Sequence, residues 1–447
     1  MRVDGFAATQ QNGGVINLQK LKANYFELRQ TRPAHDAVQP NQPQHNMAKS
    51  LSSLWLKNVK RMGKAQQAQG RRLFKSLLPK AVRAAPVWRA KPVKTLKLVG
   101  RKAVKRSRPP SATPARPLSA LPGVWQKSYF STPGAGQLAP ARRMMYWLYL
   151  PSSAVGEADA SKGLPPLVVM LHGCQQTAAD FATATRMNKL AERKGFAVLY
   201  PQQSASADAH RCWHWYKRTQ QRGFGDVRLI AEMIAQVQYK HGLDASRTYV
   251  AGLSAGAALA NILALRYPQL IAAVGLHSAP VFGTTDSAMS AYHVMQRGSG
   301  PAHNETAHAF AKGQPLLCGK PGMPVILIHG ARDPVVRRIN VEQLTQQFLI
   351  INAASITRAE PVPRSYPARA TGRSPRHAYA TETYYAGRKP QLLTCEIAVL
   401  GHAWSGGDPN VAFSAREGPN ATLMMWDFFA LHWRNLEPVE SLEPINP

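Results

Sequence analysis

Residues 248–268 read TYVAGLSAGAALANILALRYP, and the step from strand to helix falls on Gly252-Leu253-Ser254-Ala255-Gly256. The β-branched and aromatic residues before the step favour a strand, and the Ala/Leu run after it favours a helix. Glycines flank the serine because side chains there would collide with neighbouring backbone. The tight, strained turn then lifts the hydroxyl into the open. A bare Gly-x-Ser-x-Gly is weak evidence, but between a strand and a helix it points to a nucleophilic Ser254. The plain alternative is an ordinary tight turn with a capping serine.

Outward from this point, strand and helix signals alternate from about residue 124. Residues 144–150, 167–171, 196–200, 248–251, 325–329 and 397–400 read as strands. Residues 226–241, 255–267, 340–351 and 423–432 read as helices, with Asp226 as N-cap of the first. The continuous apolar run LVVML (167–171) suits a strand buried on both faces. This alternation predicts a mostly parallel central sheet with helices on both faces.

A serine hydroxyl needs a base, and the base needs an orienting acid. His402 follows the strand signal 397–400 and sits beside Gly401, in a loop that can present an imidazole to a cleft. Its rivals are His172, His277 and His329; His277 reads as a core or loop-anchoring residue. Asp333, after the strand signal 325–329 and before Pro334, lies between serine and histidine in chain order. A turn aspartate before proline is the plainer reading. Asp408 and Asp427 follow the histidine and fit less well. For the oxyanion hole the backbone N–H of Ala255 and that of Cys174, in His172-Gly173-Cys174, are the candidates. The aromatic run 211–216 is either core packing or a wall of the acyl or alcohol pocket. Trp213, Trp215 and Trp404 are the candidate substrate contacts. No Cys/His spacing or acidic loop suggests a metal, and no cofactor is expected.

These residues together resemble the polyhydroxybutyrate-depolymerase family of esterases, which has the α/β-hydrolase fold and is related to feruloyl and acetylxylan esterases. The carrying motifs are HGCQQ (172–176), CWHWY (212–216), GLSAG (252–256), HGARDPVV (329–336) and GHAWSGG (401–407), spread over about residues 124–433. The resemblance implies Ser254, Asp333 and His402 as a catalytic triad, with Cys174 and Ala255 at the oxyanion hole. It implies disulfides Cys174–Cys212 and Cys318–Cys395, and an ester or polyester substrate. Poly- or oligo-3-hydroxybutyrate comes first and feruloyl or acetylxylan esters second. His214 stands where the family more often has Asn. The chain ends soon after its last helix signal, so no separate polymer-binding domain is expected. This puts attack on solid polyester in doubt.

The charge is extreme but uneven. Residues 1–120 hold 25 of the 56 Lys and Arg but only 3 of the 24 Asp and Glu. A basic arm on an ordinary globular body fits better than a uniformly basic protein. The expected division is a basic, mostly disordered extension over 1–123, a catalytic domain over 124–433 and a tail over 434–447. Within the extension, Leu51, Leu54, Trp55, Val59 and Met62 alternate with lysines and arginines at helical spacing, predicting a basic amphipathic helix near 48–80. Residues 48–116 therefore suit a granule or anionic membrane surface as partner. Nucleic acid is the weaker partner, since no recognised nucleic-acid fold is visible. No standard signal peptide is read at the N-terminus, and Met47 is an alternative start. A cytoplasmic or granule-associated location thus stands beside the extracellular one that the resemblance implies.

Overall fold

The computed structural model describes residues 121–132, 142–155, 163–283, 285–300, 302–313, 322–372 and 375–435. The amphipathic segment 48–80, Met47 and Cys318 lie outside the described residues. The strands are β1 (Val124–Thr132), β2 (Arg142–Leu150), β3 (Leu167–Leu171), β4 (Ala197–Gln202), β5 (Thr248–Leu253), β6 (Ala273–His277), β7 (Val325–Gly330), β8 (Val362–Tyr366), β9 (Tyr379–Ala386) and β10 (Lys389–Ile397). They form one sheet in the order β1-β2-β4-β3-β5-β6-β7-β10-β9-β8. The six central strands, β4 to β10 in that order, pair in parallel. Two antiparallel strands flank them at each edge.

The central strands are apolar throughout because both faces are covered. Side chains alternate across the sheet. Val169, Leu171, Val250, Leu276 and Leu327 join one apolar cluster with helices α4 (Asp226–His241), α5 (Ala255–Arg266) and α8 (Ile339–Ile351). Val168, Met170, Tyr249, Ile326 and Ile328 join a second with α1 (Ala178–Thr185), α2 (Met187–Lys194) and α9 (Ala421–Phe429). Helices α3 (Arg218–Gln221), α6 (Ala288–Arg297) and α7 (Ala302–Gly313) complete the set among the described residues.

Two local expectations are corrected. Asp226 opens α4 but does not cap it; Gly225, at φ 68°, holds that position. The Asp226 carboxylate instead accepts from Arg142 at 2.6 Å and from Gln203 and Gln220 at 3.1 Å, so it ties β2 and the loop after β4 to the helix. The last strand is Lys389–Ile397, so 397–400 is its end and the turn beyond it. Because β3, β5, β7 and β10 run the same way, the loops after all four gather at one edge of the sheet, where parallel-sheet proteins place their ligand sites.

Candidate active site

Ser254 sits between β5 and α5 with φ 58° and ψ −122°, a conformation that non-glycine residues rarely adopt. Its N–H donates to the His277 carbonyl of β6 at 3.0 Å, and its carbonyl accepts from Ala258 at 2.9 Å. The flanking glycines are there for close approach. A Cβ on Gly252 would lie 2.5 Å from the Gly256 carbonyl carbon. One on Gly256 would lie 2.1 Å from the Leu171 carbonyl oxygen of β3. The turn can therefore be this tight only without those side chains, and the serine is forced outward.

Asp333 and His402 are brought together from the loops after β7 and β10. His402 Nδ1 lies 2.7 Å from Asp333 Oδ2, with the carboxylate fully buried. The other oxygen, Oδ1, accepts from the Val335 and Val336 N–H groups at 2.8 and 2.9 Å. Burial alone would push the Asp333 carboxyl up. The charge and hydrogen bond of His402, then His329 and the Val336 N–H, overcome this and hold it at about 2. With Nδ1–H given to the carboxylate, Nε2 is left as the basic nitrogen. Ser254 and His402 line one small cleft. No hydrogen bond joins their side chains in this structure; contacts of this kind are often long without a ligand and tighten when one binds.

Cys174 lines the same cleft. Neither its N–H nor that of Ala255 donates to a protein acceptor among the described residues. Ala255 is the first residue of α5, so its N–H has no helical partner and carries the positive end of the helix dipole. Two such preorganised donors suit a developing oxyanion. The Cys174 loop is held from several sides. Cys174 is joined to Cys212 by a disulfide, as the resemblance implied. Buried Gln176 accepts from the Gly173 N–H at 2.9 Å through Oε1 and donates to the Ala412 carbonyl at 3.3 Å through Nε2. His172, pushed down to about 4 by burial, accepts from the Gln203 N–H at 3.1 Å.

Other expectations change. Trp213, Trp215 and Trp404 are buried, and none of them lines the cleft beside Ser254. The Trp213 indole donates to the His172 carbonyl at 2.9 Å and pins the oxyanion loop. The Trp215 ring joins the core beside α4 and α5. The Trp404 indole donates to Thr422 at 3.0 Å, and its ring stacks on His277 at 5.2 Å. These aromatic rings brace the loops from behind. Cys395 is a buried free thiol among the described residues, and Cys318, its implied partner, lies outside them.

His277 is the buried, loop-anchoring residue expected, while two contributions, Phe413 and Gly330, went unread in the sequence. The His277 carbonyl holds the Ser254 N–H, and its Nε2 accepts from the Ser405 N–H at 3.3 Å, so it links the Ser254 and His402 loops. Burial, with His329 and His402 nearby, lowers its pKa to about 3, so it stays a neutral acceptor. Phe413, at φ 59°, sets its ring roughly perpendicular to the His402 ring at 6.4 Å. Gly330 lets the acid loop meet the base loop, where the Arg332 N–H donates to the Leu400 carbonyl at 3.1 Å. A Cβ on Gly330 would lie 2.4 Å from that same carbonyl oxygen and 2.8 Å from that of Gly401. Gly330→Ala should therefore push the His402 loop away and lower kcat/KM by roughly a hundredfold, the scale of an ångström-size misplacement. Stopped assays on Gly330→Ala beside the parent check this, and an unchanged kcat/KM rejects the loop-contact account.

Backbone strain concentrates here. Gln175, Arg211, Ser254, Ser278 and Phe413 all have positive φ and all lie in the loops around the cleft. Each costs about 1–2 kcal/mol, which a site retains only when its surroundings enforce it. A larger cavity of about 640 Å³ lies at the other ends of the strands, near Ile271, Met323 and Trp433. None of the residues discussed above lines it, so chemistry rather than size locates the site.

Residues 144–362 match the model of the family described as esterase PHB depolymerase; the match includes Ser254 and Asp333 and ends before His402. The chain is 32% identical over 193 residues to poly(3-hydroxyalkanoate) depolymerase C of Paucimonas lemoignei, covering 42% of this chain and 45% of that protein. It is 34% identical over 141 residues to a probable acetylxylan esterase A of Aspergillus fumigatus, covering 31% of this chain and 35% of that protein. The matched regions thus span less than half of these relatives. Among solved structures, an acetyl xylan esterase from Aspergillus awamori aligns with a TM-score of 0.48 and 20% identity, covering 68% of this chain and 99% of that one.

Proposed function

We propose, from the match of residues 144–362 to the esterase PHB-depolymerase family model, that this chain hydrolyses carboxylic esters through an acyl-enzyme. The observation that carries the reading is the His402–Asp333 pair facing the same cleft as a strained, outward-turned Ser254. In this reading Ser254 Oγ attacks the ester carbonyl while His402 Nε2 takes its proton. The Cys174 and Ala255 N–H groups hold the oxyanion. The tetrahedral intermediate collapses, the C–O bond to the alcohol breaks, and His402 returns the proton to the leaving oxygen. Water, deprotonated by the same nitrogen, then attacks the acyl-enzyme and releases the acid.

The relatives' names supply two substrate classes, 3-hydroxyalkanoate polyesters and acetyl esters. Oligomeric 3-hydroxybutyrate or a related short-chain ester is one candidate, and acetyl esters are the other. Purified protein should release p-nitrophenol from p-nitrophenyl acetate or butyrate. Comparing 3-hydroxybutyrate oligomers, acetylated xylan and methyl ferulate then separates the classes. Absence of turnover on every ester rejects the reading.

The basic stretch 48–116 gives this enzyme a second partner in the same proposal, an anionic membrane or polyester granule. Full-length protein should sediment with anionic liposomes or granules in a salt-dependent way. Equal sedimentation of a form lacking residues 1–120 rules the arm out as the anchor.

A further inference from the structure

The cleft at Ser254 is narrow, and one residue of its wall stands apart from the rest. Beside the serine the enclosed space is about 20 Å³. Its walls include Cys174, Val335, His402 and Phe413. Val335 is fixed because its own N–H is bound to the buried Asp333 carboxylate. Phe413 is different: once the Ser254 turn, the Asp333 and oxyanion loops and His402 itself are set aside, it is the remaining wall.

The Phe413 backbone is held in an unfavourable conformation, φ 59°, which an aromatic residue seldom adopts. Its carbonyl accepts from the Trp404 N–H at 2.8 Å, and the Ala415 N–H donates back to the Trp404 carbonyl at 2.9 Å. Just before it, the Ala412 carbonyl takes the Gln176 amide at 3.3 Å. That amide's oxygen holds the Gly173 N–H of the oxyanion loop. The ring is therefore clamped between the base loop and the oxyanion loop, half-buried, with its plane roughly perpendicular to the His402 ring. Strain maintained by a hydrogen-bond clamp at a reacting centre marks a position whose geometry is used.

We infer that Phe413 is a specificity-determining residue that limits the acyl group of the ester to about the size of acetyl. This rests on the esterase reading above and sharpens it: acetyl esters rank ahead of 3-hydroxybutyryl esters. An acyl chain bound to Ser254 must extend away from the oxyanion donors, and the ring occupies space that a longer chain would need. Each methylene that does not fit weakens turnover by roughly 10- to 200-fold.

The test is an acyl-length series, p-nitrophenyl acetate, butyrate, hexanoate and octanoate, on the full chain, on Phe413→Ala and on Phe413→Leu. The parent should lose kcat/KM steeply beyond acetate. In Phe413→Ala the octanoate-to-acetate ratio should rise by at least about tenfold, with Phe413→Leu between the two. If Phe413→Ala does not fold, Phe413→Asn replaces it, since Asn tolerates positive φ and removes the ring. A flat series in the parent overturns the inference. So does an unchanged ratio in a folded variant, or a folded variant inactive on all four esters. A parent inactive on all four esters, by contrast, fails the esterase reading itself.

Discussion

Ser254→Ala is expected to lower kcat on p-nitrophenyl acetate by roughly a millionfold, the scale seen when a serine hydrolase loses its nucleophile. The fold should not notice. The hydroxyl makes no hydrogen bond among the described residues, so its loss leaves no buried partner unsatisfied. The backbone at φ 58° is equally unfavourable for serine and alanine, so the unfolding midpoint should move by no more than about 0.5 kcal/mol equivalent. What remains after the substitution is the oxyanion pair, Cys174 N–H and Ala255 N–H, with His402 still able to activate water. A residual rate above the uncatalysed one is therefore expected. Active-site titration with an organophosphate, read by mass, should label the parent once and Ser254→Ala not at all. Activity of Ser254→Ala within a hundredfold of the parent rejects Ser254 as nucleophile.

Which parts of this site were legible in the sequence follows from the range of the interactions. The Ser254 turn was readable because its requirements are local. Glycines at 252 and 256, a strand before and a helix after all lie within a dozen residues. Asp333 and His402 were readable because each follows an apolar strand signal, and chain order then selects the acid before the base. The disulfide Cys174–Cys212 came from motif resemblance, not from spacing. Burial was harder. Trp213, Trp215 and Trp404 look like a substrate wall because aromatic side chains serve equally in pockets and in cores. Only the packing of the loop backs, with indole N–H groups taken by His172 and Thr422, decides against it. Gly330 acts on the turn after a neighbouring strand, about 70 positions away, and no local pattern carries that. The edge strands escaped for a related reason. β8 (VPRSY) is half exposed with an arginine at its centre, the pattern of a protected edge rather than of a core strand.

Asp333→Asn tests the other half of the chemistry, and kcat should fall by roughly ten thousandfold with the fold retained. The fold survives because an amide oxygen can still accept from the Val335 and Val336 N–H groups that now hold Oδ1. The amide's NH2 would then face His402 Nδ1. It can only donate, so the imidazole must turn to the tautomer with Nδ1 bare and the proton on Nε2. That nitrogen can no longer take the Ser254 proton, and the base is lost without any displacement. The same carboxylate also gives a pH signature. Its folded pKa of about 2 lies below the ordinary 3.8, so the ionised form stabilises the fold by about 2 kcal/mol. That contribution is fully present above about pH 4 and is lost as the pH falls through 4 toward 2. Asp333→Asn has no such titration, so its unfolding free energy should depend less steeply on pH across that window than the parent's. Urea melts at pH 6, 4 and 3, taken beside kcat at neutral pH, check both effects. A variant that keeps parental activity, or shows the parental loss of stability between pH 4 and 3, places the orienting charge on some group other than Asp333.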